Sequence, residues 1–168
     1  AGGGTLSLGA SNRISDATAL TIVDRSTLAL GGYNETVASL TLTSGTLSGA
    51  GSLAANTFTV ESGTLAANLT GSATLTKQGA GTVTLTAATT YTGGTTVTAG
   101  NFRLEADDVL ADSGALTVTG GTFDLGSHSE HVGAVRLTGN GVIASTGSAT
   151  LTGSTYAMES GTVSARLG

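Results

Sequence analysis

A short phrase made of a small residue, then usually Thr, then apolar-x-apolar, recurs along the 168-residue chain. It reads GTLSL at Gly4, STLAL at Ser26, GTLSG at Gly45, GTLAA at Gly63, GTVTL at Gly81, GNFRL at Gly100, GTFDL at Gly121, NGVIA at Asn140 and GTVSA at Gly161. The intervals are 22, 19, 18, 18, 19, 21, 19 and 21 residues. A unit of about twenty residues cannot bury an apolar face by itself, so each must stack on its neighbours, and the period predicts a solenoid before any other property is considered.

The units are built from strands. In front of most phrases lies a second apolar pair spaced two apart, as at Leu20/Ile22, Leu40/Leu42, Phe58/Val60, Leu116/Val118, Val135/Leu137 and Tyr156/Met158, with Gly, Ser, Asn or Asp between pair and phrase. Period-two spacing in short, β-branched, Gly-punctuated runs is a strand signal and leaves no room for helices. Aromatics are 4% and charged residues 10%, with 27 Gly and no Pro, Cys or Trp. Low charge with abundant Val, Ile and Thr excludes a disordered chain, and so few aromatics point to thin aliphatic layers in place of one thick core. Absence of Pro suits strands that pair on both sides.

Stacking such turns pairs equivalent strands in parallel about 4.8 Å apart and puts equivalent residues in columns. The expected inward column is Leu6, Leu28, Leu47, Leu65, Val83, Phe102, Phe123, Val142 and Val163. The expected outward column holds Thr41, Thr59, Thr96 and Thr117, then Arg136 and Ala157. Thr fits a pleated, half-exposed face and has a hydroxyl within reach of a bond to the next Thr, so these four threonines are a candidate interaction surface.

A longer period overlies the short one. GTLSLGASNRISDATALTI from Gly4 matches GNFRLEADDVLADSGALTV from Gly100, STLALGGYNETVASLTLTSG from Ser26 matches GTFDLGSHSEHVGAVRLTGN from Gly121, and TFTVESGTLAANL from Thr57 matches TYAMESGTVSARL from Thr155. The expectation is a single solenoid over residues 1–168 with one copy of a super-repeat at about 4–99 and an incomplete second at 100–168. A chain that starts and stops inside its own pattern reads as a fragment of something longer.

One stretch is more specific than the rest. LTKQGAGTVTLTAATTYTGGTTVTAGNFRL, 75–104, resembles the autotransporter-associated β-strand repeat of bacterial type V secreted passenger domains. The matching elements are Leu75, Thr76, Lys77, Gly79, Gly81, Thr82, Tyr91, Gly93, Thr95 and Gly100; Thr89-Thr90 stands where the family often has an Asn. The resemblance implies an all-β, right-handed parallel β-helix of about eight to nine turns, roughly 40 Å long, exported to the surface of a Gram-negative bacterium. It also implies a parent protein anchored in the outer membrane by a barrel that this sequence does not contain. Adhesins, aggregation factors and a minority of enzymes share the repeat.

Other function classes are disfavoured. Net charge is −5 with six Lys and Arg and no basic cluster, which argues against a nucleic-acid partner. No apolar run approaches the ~20 residues of a membrane-spanning helix, the opening AGGGTLSLG has no basic-then-apolar leader pattern, and zero Cys excludes disulfides and thiolate sites. The densest acidic group, Glu105, Asp107, Asp108 and Asp112, reads as a solvated loop, with a weak Ca²⁺ site as the alternative. His128, Glu130 and His131 read as an exposed turn ahead of a metal site, and Asp24-Arg25 as a surface ion pair. Glu61 and Glu159 share a phase but are five turns apart, too far for a paired-carboxylate glycosidase, and no Gly-x-Ser-x-Gly elbow occurs. Ice or crystal binding through Thr-x-Thr arrays is a further alternative, interrupted at Arg136 and Ala157. The sequence therefore predicts a non-enzymatic, cofactor-free, structural and adhesive stalk that contacts other cells, host surfaces or itself, with an inert spacer or a glycan-binding or glycan-cleaving module as alternatives.

Overall fold

The computed structural model describes residues 2–168, which form a parallel β-solenoid of about eight turns with no helix among them. Two sheets run the length of the coil. The first stacks Thr5–Ser7, Ser26–Ala29, Gly45–Ala54, Gly63–Thr70, Thr82–Leu85, Asn101–Leu104, Thr122–Asp124, Val142–Ala144 and Thr162–Val163, with the short strand Glu35–Thr36 paired beside Gly45–Ala54. The second stacks Ala19–Ile22, Ser39–Leu42, Thr57–Val60, Thr74–Lys77, Thr95–Val97, Leu116–Val118, Glu130–Leu137, Thr150–Met158 and Arg166–Leu167. The expected apolar pairs are the inward residues of the second sheet, and the recurring phrases begin the strands of the first.

Alternation decides what is inside. In Thr57–Val60 the residues run exposed, buried, half-buried, buried, and the same in-out alternation recurs in Thr82–Leu85 and Leu116–Val118. Leu28, Leu47, Leu65, Val83, Phe102 and Phe123 are all buried in one continuous core, with the Phe102 and Phe123 rings stacked 6.2 Å apart between centroids. Leu6 and Val163 keep the inward phase but stay exposed, because the first and last turns have no neighbour on one side.

The inward column departs from the sequence expectation twice. Leu65 pairs with Leu85, so the strand at Val83 is displaced by two residues; a shift of two preserves the face, and both side chains stay buried. At the eighth turn Ile143, not Val142, stands on Phe123 and enters the core. The Gly141 N–H donates to the Thr138 carbonyl at 3.2 Å, so the tight turn takes in Gly141 and the strand begins one residue later, which exchanges the two faces.

Corners are held by close backbone stacking. Gly63 sits at φ 120° above Gly45 at φ 141°, and a side chain on Gly63 would run into the Gly45 carbonyl. Only glycine meets both the dihedral and the space.

Candidate functional surface

The second sheet turns one straight column of side chains outward: Thr21, Thr41, Thr59, Thr76, Thr96, Thr117, Arg136 and Ala157, paired residue on residue in parallel register. All four threonines of the expected surface lie in it. Thr21, which lies between the expected inward pair Leu20/Ile22, and Thr76, inside the motif beginning at Leu75, extend it to six successive turns. The expected hydroxyl-to-hydroxyl ladder does not form. Equivalent residues on neighbouring parallel strands repeat at about 4.8 Å, longer than a hydrogen bond, and the six hydroxyls make no hydrogen bond to another described residue.

Two residues further along each strand runs a second row, where the chain begins to turn. Here Thr98 donates its hydroxyl to the Lys77 carbonyl at 2.9 Å and Thr43 to the Ile22 carbonyl at 3.3 Å. These hydroxyls are spent on the corner. In the same row Gln78 donates to Glu61 at 3.2 Å, and Glu159 takes a two-pronged contact from Arg136 at 2.9 and 3.1 Å. Glu61 and Glu159 thus belong to separate surface contacts.

The stretch around Lys77 contains polar groups inside the coil. Lys77 follows Val60 and precedes Val97 in an inward column and is fully buried. Its ammonium donates to the carbonyls of Gln78 at 2.7 Å, Gly79 at 2.9 Å and Ala99 at 3.0 Å, so one cation ties the corner of its own turn to the next. Burial lowers its pKa from the ordinary lysine range, an effect the nearby Glu61 carboxylate opposes. Tyr91 packs tilted against Phe58 at 5.9 Å and shares a 2.7 Å hydrogen bond with the Thr95 hydroxyl; burial pushes its phenol well above the usual tyrosine range. The signal for Lys77 was its phase, two residues after the inward Leu75.

The acidic loop and the histidine turn, which read as separate features in the sequence, are packed on one another. Asp107 accepts the Ser129 N–H at 2.7 Å and lies 3.6 Å from His128 Nδ1, and Asp112 lies 3.4 Å from His131 Nδ1. Glu105 pairs with Arg103 at 2.6 Å, and Asp108 adopts φ 54°. Three of the four carboxylates of the candidate Ca²⁺ site, Glu105, Asp107 and Asp112, are therefore turned to different partners, and no three His, Asp or Glu side chains among the described residues converge as a metal-binding group. Glu130 corrects the exposed-turn reading: it is 2% exposed, and its carboxylate accepts the N–H groups of Val109 at 3.0 Å and Leu110 at 3.2 Å. Burial pushes its pKa up to about 7 against the pull of those amides.

The same contacts recur earlier in the chain. Glu35 is buried and accepts the Arg13 N–H at 2.8 Å; Asn12 adopts φ 54° and donates its N–H to the Asn34 carbonyl at 3.2 Å, as Asp108 donates to the Ser129 carbonyl at 3.0 Å. Asn34 N–H donates to Ser11 Oγ at 3.1 Å where Ser129 donates to Asp107. The shared Glu in GGYNET and GSHSEH was the sequence signal for this arrangement. Asp24 and Arg25 make no ion pair with each other; both adopt left-handed backbone, φ 53° and 62°, in the turn before Ser26.

Residues 75–104 match the family model described as the passenger-associated-transport-repeat. No curated protein and no solved structure matches the chain.

Proposed function

We propose that this chain, which carries a passenger-associated-transport repeat within a parallel β-solenoid, is a non-catalytic adhesive stalk segment of a surface-displayed autotransporter passenger. The repeat family is typical of autotransporter passengers and implies secretion or surface display. Stiffness follows from the fold: apart from Glu35–Thr36 and the strands at the two ends of each sheet, every strand has a neighbour on both sides, so bending the coil strains whole ladders of hydrogen bonds at once.

The observation that carries the adhesive part is the Thr column. Six hydroxyls and six methyl groups from Thr21 to Thr117 face outward on successive turns, with no internal partner competing for them. A row of this kind offers the same weak contact many times over, and a partner of matching repeat gains from the multiplicity, not from any one strong site. The partners would be other cells, a host surface or further copies of the same face.

Beads or cells coated with the 168-residue chain are the test. Clustering is expected with the native sequence and is expected to be lost in the triple variant Thr59→Lys, Thr96→Lys, Thr117→Lys, whose like charges repel along the column. Inert beads in the native case would leave the spacer reading, and selective retention on immobilised glycans would favour the glycan-binding one.

A further inference from the structure

Six asparagines occur in the chain, and the residues that follow them are Arg13, Glu35, Thr57, Leu69, Phe102 and Gly141. The last pair, Asn140-Gly141, lies in the tight turn that leads from Glu130–Leu137 into Val142–Ala144. The chain reverses there with Gly139 at φ 62°, and the turn closes through the bond from the Gly141 N–H to the Thr138 carbonyl. At 3.2 Å that bond is at the long end of the ordinary range. Asn140 is exposed, and its carboxamide makes no hydrogen bond to another described residue. No other asparagine combines these features. Asn34 holds the Ser52 N–H at 3.0 Å, Asn68 accepts the Thr90 hydroxyl at 3.4 Å, Asn101 Oδ1 is buried, and Asn12 and Asn56 are each followed by a residue with a side chain.

We propose that Asn140 is a self-modification site, converted through a succinimide to isoaspartate, and that the conversion loosens the corner between the seventh and eighth strands of the two sheets. The reaction needs only the chain and water. The Gly141 nitrogen attacks Asn140 Cγ; its bond to that carbon forms as the bond from Cγ to the carboxamide nitrogen breaks. The departing NH2 group takes the proton released by Gly141 and leaves as ammonia. Water then opens the five-membered imide at one of its two carbonyls. Opening at Cγ gives aspartate with the ordinary backbone, and opening at the main-chain carbonyl gives isoaspartate, whose backbone runs through Cβ and Cγ. Glycine favours ring closure, because no Cβ crowds the attacking nitrogen and its backbone turns most freely. The folded corner restrains the step: the nitrogen is engaged with Thr138, so attack takes place while the turn is open.

Gly141 has little freedom to follow a longer backbone. Its carbonyl accepts the Thr162 N–H at 3.0 Å, and the next N–H, from Val142, donates to the Gly121 carbonyl at 2.9 Å. Its own Cα stands so close to the turn below that an added carbon would lie 2.7 Å from the Val118 carbonyl oxygen. Isoaspartate puts one more atom into the main chain immediately before this residue. A slip by a whole residue would exchange Val142 and Ile143 between the outer face and the core, so a change of register cannot absorb the added atom. The strain falls on the bonds that Gly141 and Val142 make to the turns on either side. The inference is independent of the adhesive reading, since no partner takes part.

Ageing the folded 168-residue chain in mild base tests it. Each asparagine-containing peptide is then assayed for ammonia loss by mass spectrometry and for isoaspartate by isoaspartate-specific methyl transfer. Asn140 is expected to convert before the other five asparagines, mainly to isoaspartate, and about tenfold or more faster in urea, where the turn no longer closes. In the aged folded chain, amide exchange is expected to show protection lost at Val142 and Thr162 and retained at Thr98, whose N–H bonds to the Lys77 carbonyl farther down the coil. Two exposed-site variants separate the causes. Asn140→Asp carries the new charge on an ordinary backbone, and Asn140→Gln lacks the five-membered route; both are expected to keep protection at Val142 and Thr162. Conversion of another asparagine ahead of Asn140 in the folded chain, unchanged protection in chains that contain isoaspartate, or an equal loss in fresh Asn140→Asp would overturn the proposal.

Discussion

The Lys77 ammonium lies 3.0 Å from the Ala99 carbonyl of the next turn, inside a column otherwise filled by Leu42, Val60, Val97 and Val118. A cation here is desolvated, and three carbonyls replace its water. Replacing it by Met keeps the volume but leaves those carbonyls without their donor. Lys77→Met is expected to lose about 2–4 kcal/mol in urea unfolding, given the cost of stranding buried acceptors. An unchanged midpoint would show that the corner satisfies its carbonyls by other means.

Glu130 makes global stability depend on pH. With its folded pKa raised to about 7, the chain is expected to be most stable in mild acid and to lose up to the order of 3 kcal/mol as pH rises from the ordinary carboxylate range through 7. Urea midpoints taken from pH 5 to 8 check the direction. A midpoint that climbs over this interval contradicts it.

Leu65 and Thr59 measure the two faces. Leu65 is wholly buried on the inward column, so Leu65→Asp puts a carboxylate into an aliphatic layer and is expected to unfold or aggregate the chain. Thr59 is half-buried on the outward column, and Thr59→Ser should change stability by less than about 1 kcal/mol. Circular dichroism melts of the two variants suffice, and equal melting would refute the assignment of faces.

Gly63 tests the corner. Gly63→Ala needs an unfavourable φ and collides with the Gly45 carbonyl, so a loss of about 2 kcal/mol or more is expected. Gly9→Ala, with open space around the added carbon, should be nearly neutral. Similar melting of both variants would mean that the stack yields at little cost.

Arg136 interrupts the Thr column and holds Glu159 from an exposed position. Such a pair contributes only about 0–1 kcal/mol, so Arg136→Thr should leave the unfolding midpoint almost unchanged while lengthening the free hydroxyl row. Under the adhesive reading the same variant should cluster beads at least as well as the native chain.

Much of the architecture was legible in the sequence because the repeat is short and its alternation strict. Leu40, Phe58, Leu116 and Val135 announce an inward column by spacing alone, and the outward Thr column follows from the same parity. Two kinds of information were missing. Register at Leu85 and Ile143 depends on how many residues each corner consumes, and one residue more or less moves a side chain to the opposite face. The partners of Glu130 and Lys77 depend on what the neighbouring turn presents, so a buried acid looked like part of an exposed histidine turn.

The sequence by itself determined the period, the all-β class and the direction in which most side chains point, since these depend on spacing within a single turn. Only the tertiary structure decided which atoms of successive turns meet: the six unpaired hydroxyls in one row, the Lys77 ammonium on three carbonyls, and the acidic loop clasped by a carboxylate from the turn above. Those relationships arise between turns, where contact is set by stacking register and by the exclusion of water, and neither is written in the order of residues within one repeat.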